Sequence, residues 1–172
     1  RVAFVGSYDP AYPRNAILRE GLRTAGAEVI EAHVKERRAV FRYPELAARL
    51  FSHAGDADLL FVPEFRHKDV PLARLLAGKR PLVFDPLISR WDTLVGDWEL
   101  HARGSWQARW NPTIDRMSLR AADLILCDTW EHGALFESLG AERARLRRVL
   151  VGAERQYFEI GAPPDGGPAS RE

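Results

Sequence analysis

The chain has 172 residues, 46% of them hydrophobic, with 25 basic and 24 acidic side chains and a net charge of +1. That length fits one ordinary domain of about 100–200 residues, and the apolar content suffices for a core. Near-neutrality gives no global field for nucleic acid, a single cysteine (Cys127) excludes an internal disulfide framework, and no run approaches the ~20 apolar residues of a membrane span.

Short apolar runs alternate with amphipathic stretches from one end to the other. Arg1 to Val5 reads as a strand ending at Gly6. Asn15 to Ala25 carries Ile17, Leu18, Leu22 and Ala25 at helical spacing, and Gly26 can close that helix in left-handed geometry. Glu28 to Val34 reads as a second strand. Tyr43 to Ala54 reads as a helix with Pro44 in its first turn, where a missing N–H costs nothing. Ala57 to Val62 is a third strand. Asp69 is placed to cap a helix through Ala77, with Gly78 beyond its end. Pro81 to Phe84, Leu124 to Cys127 and Arg147 to Val151 complete six strands. Asp128 and Glu131 have capping-box spacing at the start of a helix running to Leu139 and Gly140. From Gly161 the chain is rich in proline and glycine, so residues 159–172 read as a linker after a domain of residues 1–158.

Continuously apolar strands imply burial on both faces, and strand–helix alternation implies a parallel sheet with right-handed crossovers. The expected fold is α/β: a single Rossmann-like, doubly wound domain of three layers, helices on both sides of the sheet. The strands at Val2–Val5, Leu59–Val62, Leu82–Phe84 and Leu124–Cys127 should lie in its interior. Ligands of such sheets bind beyond the carboxyl ends of the strands. That rule selects the loops Gly6–Arg14, Pro63–Asp69, Asp85–Asp97 and Asp128–His132.

Each loop also admits a purely mechanical reading. Gly6-Ser7-Tyr8-Asp9 leads into a helix start, which suits hydroxyls or anions, but it lacks the three spaced glycines of a dinucleotide site, and the chain holds no P-loop. Asp85 leaves a buried strand, and Ser89 and Asp92 follow. These carboxylates either meet sugar hydroxyls and protons or brace the turn and cap the next helix. If Asp85 serves chemistry, its replacement by asparagine lowers turnover more than stability. Asp128, Thr129 and His132 stand at another helix start, as ligand contacts or as caps. Residues 91–110 hold four of the five tryptophans, Trp91, Trp98, Trp106 and Trp110, with Arg90 directly before them and Arg103 and Arg109 among them. Such a stretch suits a core or a domain interface, which is the favoured reading, or a membrane surface or sugar platform. The five histidines show no metal spacing, and Glu28 with Glu36 is no donor-site glutamate pair, because it begins inside a strand.

In order and spacing, several of these segments resemble the N-terminal, acceptor-binding domain of family 4 glycosyltransferases of the GT-B architecture. They are Ser7-Tyr8-Asp9-Pro10 with Arg14-Asn15, Phe84-Asp85-Pro86-Leu87-Ile88-Ser89, Asp115-Arg116 through Ala122-Asp123, Asp128-Thr129, and Val151-Gly152-Ala153-Glu154 with Phe158. The glycine-rich first loop of many members is reduced here to Gly6, and Glu154 stands where an aspartate often follows. The resemblance implies a retaining hexosyl transfer from a nucleotide-sugar donor, without cofactor or metal. The donor would sit in a second, C-terminal domain, so this chain alone would be inactive. The acceptor would be a sugar or a lipid-linked sugar, in the cytoplasm or at the inner face of a membrane. The resemblance casts Asp85 as the catalytic residue and Gly6, Ser7, Tyr8, Asp9, Ser89, Asp92, Asp128, Thr129 and His132 as acceptor contacts. The alternative from another class is a stand-alone Rossmann- or flavodoxin-like module that holds a nucleotide or a partner protein without catalysis.

Overall fold

A computed structural model describes residues 1–35, 38–93 and 105–153. Its strands are β1 (Val2–Gly6), β2 (Val29–His33), β3 (Leu59–Val62), β4 (Leu82–Phe84), β5 (Leu124–Cys127) and β6 (Leu146–Arg148). Its helices are α1 (Pro13–Thr24), α2 (Ala39–Ala54), α3 (Val70–Ala77), α4 (Trp106–Ala121) and α5 (Trp130–Ser138). The six strands form one sheet in the order β2-β1-β3-β4-β5-β6, every pair parallel. This is a doubly wound sheet of the 2-1-3-4-5 type, in which the strand order reverses between β1 and β3.

The four strands of continuous apolar character are the four interior ones, as doubly buried strands must be. Side chains alternate with period two. Ala3, Val5, Leu60, Val62, Leu82, Phe84, Ile125 and Cys127 share a core with residues of α2, α3, α4 and α5. Val2, Phe4, Phe61 and Leu126 face the other way, where Leu18 and Leu22 of α1 pack. Phe4 and Phe61 stack there with centroids 4.4 Å apart. The edge strands are the polar ones: Arg147 and Arg148 on β6 are exposed, and Glu31 and His33 on β2 are half-buried. No helix among the described residues is long and apolar enough to cross a membrane.

Several local expectations need correction. Helix α2 begins at Ala39, a turn before Tyr43, so Pro44 lies inside it. The early turn is held by Phe41 N and Arg42 N, which donate to Arg38 O, and it carries Arg42 to a buried ion pair with Asp69 (2.9 Å). Asp69 stands at the start of α3 but does not cap it. Its carboxylate instead takes the amide and hydroxyl of Ser7 (3.1 and 3.2 Å) along with Arg42, a set of buried donors that outweighs one helix-end amide. Thr129, not Asp128, caps α5, its Oγ1 accepting from His132 N (3.2 Å). Strand β6 starts and ends earlier than Arg147–Val151. Trp91, Trp106 and Trp110 are not buried beneath the sheet but are 40%, 71% and 50% exposed. Trp98 and the linker expected at 159–172 lie outside the described residues.

Candidate functional site

Because every strand is parallel, the loops after β1, β3, β4 and β5 open on one edge of the sheet. Two non-glycine residues with left-handed backbone lie on that edge, Phe65 after β3 (φ 57°) and Leu87 after β4 (φ 61°). Each costs on the order of 1–3 kcal/mol and persists only where its surroundings fix it, a pattern that clusters at functional sites.

The centre of the edge is a buried ion pair. Arg14, in the first turn of α1, donates from Nε to Asp85 Oδ2 (2.6 Å) and from Nη2 to Asp85 Oδ1 (2.9 Å). Its Nη1 donates to Val149 O beyond β6 (3.3 Å). One guanidinium thus ties α1 to the ends of β4 and β6. Burial works against the charge on Arg14, but the Asp85 carboxylate outweighs burial and raises its pKa. Burial pushes Asp85 upward, opposed by Arg14. Both side chains are almost wholly enclosed, at 4% and 0% exposure. The expected catalytic residue therefore has both oxygens engaged by Arg14.

Beside this pair, Asn15 Nδ2 donates both to Asp9 O and to Glu64 Oε1, each at 2.8 Å. Glu64 Oε2 and Asn15 Oδ1 are buried without a hydrogen-bond partner among the described residues. Burial raises the Glu64 pKa to about 7, against the pull of the Asn15 hydrogen bond, and the Asp85 charge adds to the rise. Glu64 thus exchanges its proton near neutrality, between two fixed loops.

The first loop is folded on itself. Gly6 has φ +148°, and an added Cβ would lie 3.4 Å from Arg66 Cγ and from Asp69 Oδ2. Ser7 is buried against Asp69, and Arg66 Nη1 donates to Ser7 O (2.7 Å). The Tyr8 hydroxyl donates to Glu31 (3.3 Å), and burial, with Glu31 adding to it, keeps that phenol protonated. Asp9 Oδ1 accepts from Ala11 N (2.9 Å). The loop, with His33, Lys35 and Arg66, walls an open cavity of about 450 Å³.

After β4, Ser89 is buried and donates to Asp115 Oδ2 (2.7 Å), while Asp115 also takes the amides of Arg90 (3.2 Å) and Trp91 (3.1 Å). Asp92 N donates back to Ser89 Oγ (3.2 Å). Buried His67 stands 3.5 Å from Asp115, and burial together with Arg90 and Arg66 drives its pKa well down, so the ring is neutral. After β5, His132 Nδ1 lies 2.5 Å from Asp128 Oδ1, which also accepts from Thr129 N (2.8 Å). This dyad is partly exposed.

The predicted residues thus form three groups on one edge: Gly6, Ser7, Tyr8 and Asp9; Asp85, Ser89 and Asp92; and Asp128, Thr129 and His132. Sequence reasoning passed over Arg14, Asn15, Glu64 and Asp115 as individuals. The signal for the first two was their place in the opening turn of α1, directly after a loop already under suspicion.

No family model matches the chain, and no curated protein is significantly similar to it. Among solved structures it is similar to Anabaena HepE (Alr3699) in complex with UDP and glucose, at 13% identity and a TM-score of 0.54, over 88% of this chain. The same protein in complex with UDP-glucose aligns over 87% of this chain at 12% identity and a TM-score of 0.47. The chain spans only 44% and 42% of the length of those two chains. At this identity the likeness shows the fold: a Rossmann-like α/β domain with a six-stranded parallel sheet.

Proposed function

We propose that this chain is the acceptor-binding half of a hexosyltransferase that draws on a nucleotide-sugar donor. The observation that carries the reading is the polar edge of the sheet. Four separate segments bring Arg14, Asn15, Glu64, Asp85, Asp128 and His132 to the carboxyl ends of the strands. They do so in a fold like that of a protein whose crystal structure holds UDP and glucose. Fold alone does not fix function, so the weight rests on this edge.

In this reading Gly6, Ser7, Tyr8 and Asp9 floor the acceptor site, Ser89 and Asp92 line its middle, and Asp128, Thr129 and His132 form the far wall. Asp85 fixes Arg14 and is a positioning residue. The donor belongs to a second domain, and closure of the cleft excludes water from the activated sugar. The resemblance to family 4 supports reading residues 1–158 as the N-terminal domain of a retaining GT-B enzyme that works in the cytoplasm. The exposed rings of Trp106 and Trp110, with Arg109 on the same helix, suit contact with a membrane that carries a lipid-linked acceptor. The test is a donor and acceptor screen on the polypeptide that carries this domain, read by mass spectrometry of glycosylated product. Absence of transfer across uridine- and guanosine-diphosphate sugars would overturn the proposal.

The strand order β2-β1-β3-β4-β5-β6 is also that of flavodoxin-like modules, which favours a second reading as a nucleotide-binding module without catalysis. Tight nucleotide binding by this chain alone would select it.

A further inference from the structure

We infer that the cavity beyond the carboxyl ends of β1 and β2 takes the acidic group of an anionic saccharide, a sugar bearing a phosphate or a carboxylate. The inference rests on the transferase reading insofar as it makes that saccharide the acceptor. The volume, about 450 Å³, lies within the range of roughly 300–1,000 Å³ typical of small-molecule sites. Its walls combine three kinds of chemistry. The half-buried ring of His33 is backed edge to face by the buried ring of Tyr8, centroids 5.0 Å apart, and Pro10 adds a second flat apolar surface. Such surfaces accept the C–H face of a sugar ring. Asp9 is an exposed carboxylate on the rim, suited to hydroxyls.

Lys35 supplies the charge. It is exposed, lines the cavity, and has no ion-pair partner among the described residues. Arg66 brings a guanidinium to the same wall, steered by Ser7 O (2.7 Å) and Ser7 Oγ (3.2 Å). Of the nearby acids, Asp9 stays on the rim, where it accepts from Ala11 N, while Glu31 and Asp69 are engaged with other cations. Glu31 pairs with Arg19 (2.5 Å) and Asp69 with Arg42 (2.9 Å). Lys35 and Arg66 outnumber the one carboxylate of the lining, Asp9, so the balance at the lysine favours an anion.

The loop also argues against a diphosphate. A pyrophosphate cradle needs several backbone amides pointing outward from a glycine-rich turn. Here Ser7 N is given to Asp69, and Ala11 N and Tyr12 N are given to Asp9. The anion must then be met by side chains, as one acidic substituent on a small body.

Calorimetric titration of the chain with glucose 6-phosphate, with glucuronate and with methyl glucoside tests this. At least one of the two anions should bind at least 10-fold more tightly than the neutral sugar, and the stronger of the two identifies the acidic group. Lys35→Gln should weaken that binding about 10-fold, and added salt should weaken it further. Lys79→Gln, in the loop before β4 at the opposite edge of the sheet, should leave it unchanged. Equal binding of all three sugars, or equal behaviour of the two lysine variants, would overturn the inference. Failure here is separable from failure of the transferase reading. Sugar transfer to a neutral acceptor, untouched by Lys35→Gln, would remove the anionic site alone. Anion binding through Lys35 with no transfer from any donor would remove the transferase alone.

Discussion

Replacing Asp85 by asparagine should unfold this domain before it slows any chemistry. Asp85 and Arg14 are 0% and 4% exposed, and two hydrogen bonds of 2.6 and 2.9 Å join them. Asparagine keeps the shape and removes the charge, leaving an enclosed guanidinium without its paired carboxylate and with only the weaker pull of Asp128 and Glu64. Breaking a buried pair from one side costs about 3–5 kcal/mol. That is a large part of the roughly 5–15 kcal/mol that holds a domain together. With a urea m-value of about 2 kcal/mol/M, the unfolding midpoint should fall by about 2 M. Urea titration followed by circular dichroism reads the shift. The double variant Arg14→Leu with Asp85→Leu should recover much of the loss, because an apolar pair of similar volume is often neutral or better than a buried ion pair. A midpoint for Asp85→Asn within about 0.5 M of the parent, or a double variant worse than the single, would refute the reasoning. It would return Asp85 to the role of a residue that acts on substrate.

Two further outcomes follow from the same edge. Glu64 has its folded pKa raised from 4.5 to about 7, so the folded state holds a proton that the unfolded state releases. Its contribution is complete below about pH 4.5 and is lost as pH rises through 7, in total about 3 kcal/mol at about 1.4 kcal/mol per pKa unit; Glu64→Gln should flatten that slope in unfolding measured across pH 4–8. Gly6→Ala places a Cβ at φ +148°, against Arg66 and Asp69, and should cost about 1–3 kcal/mol, read as a fall in Tm of roughly 2–12 °C.

The sheet was legible because its signal is local. Four apolar runs announced four interior strands, and a parallel sheet puts the loops that follow them on one edge. What stayed hidden was pairing across the chain. Arg14 and Asp85 are 71 residues apart, Ser7 and Asp69 are 62, and Asn15 and Glu64 are 49. No periodicity reports such partners. The same blindness explains the misplaced cap: Asp69 has the residue type and position of an N-cap, but a buried arginine and a buried serine compete for it. Pro44 misled for a related reason, since its place in a first turn is a preference that an extra turn anchored by Arg42 overrides. The exposure of Trp106 and Trp110 could not be read from spacing, which places the two rings on one helical face without saying what that face meets.

The most direct test of the proposed transferase is a paired titration with UDP-glucose, on this chain alone and on a polypeptide that joins it to the proposed donor-binding domain. The chain alone should show no saturable binding, since its first-loop amides at Ser7, Ala11 and Tyr12 are spent on Asp69 and Asp9, and the joined polypeptide should show both binding and sugar transfer. Tight, saturable binding of UDP-glucose by the chain alone, with no transfer by the joined polypeptide, would contradict the proposal.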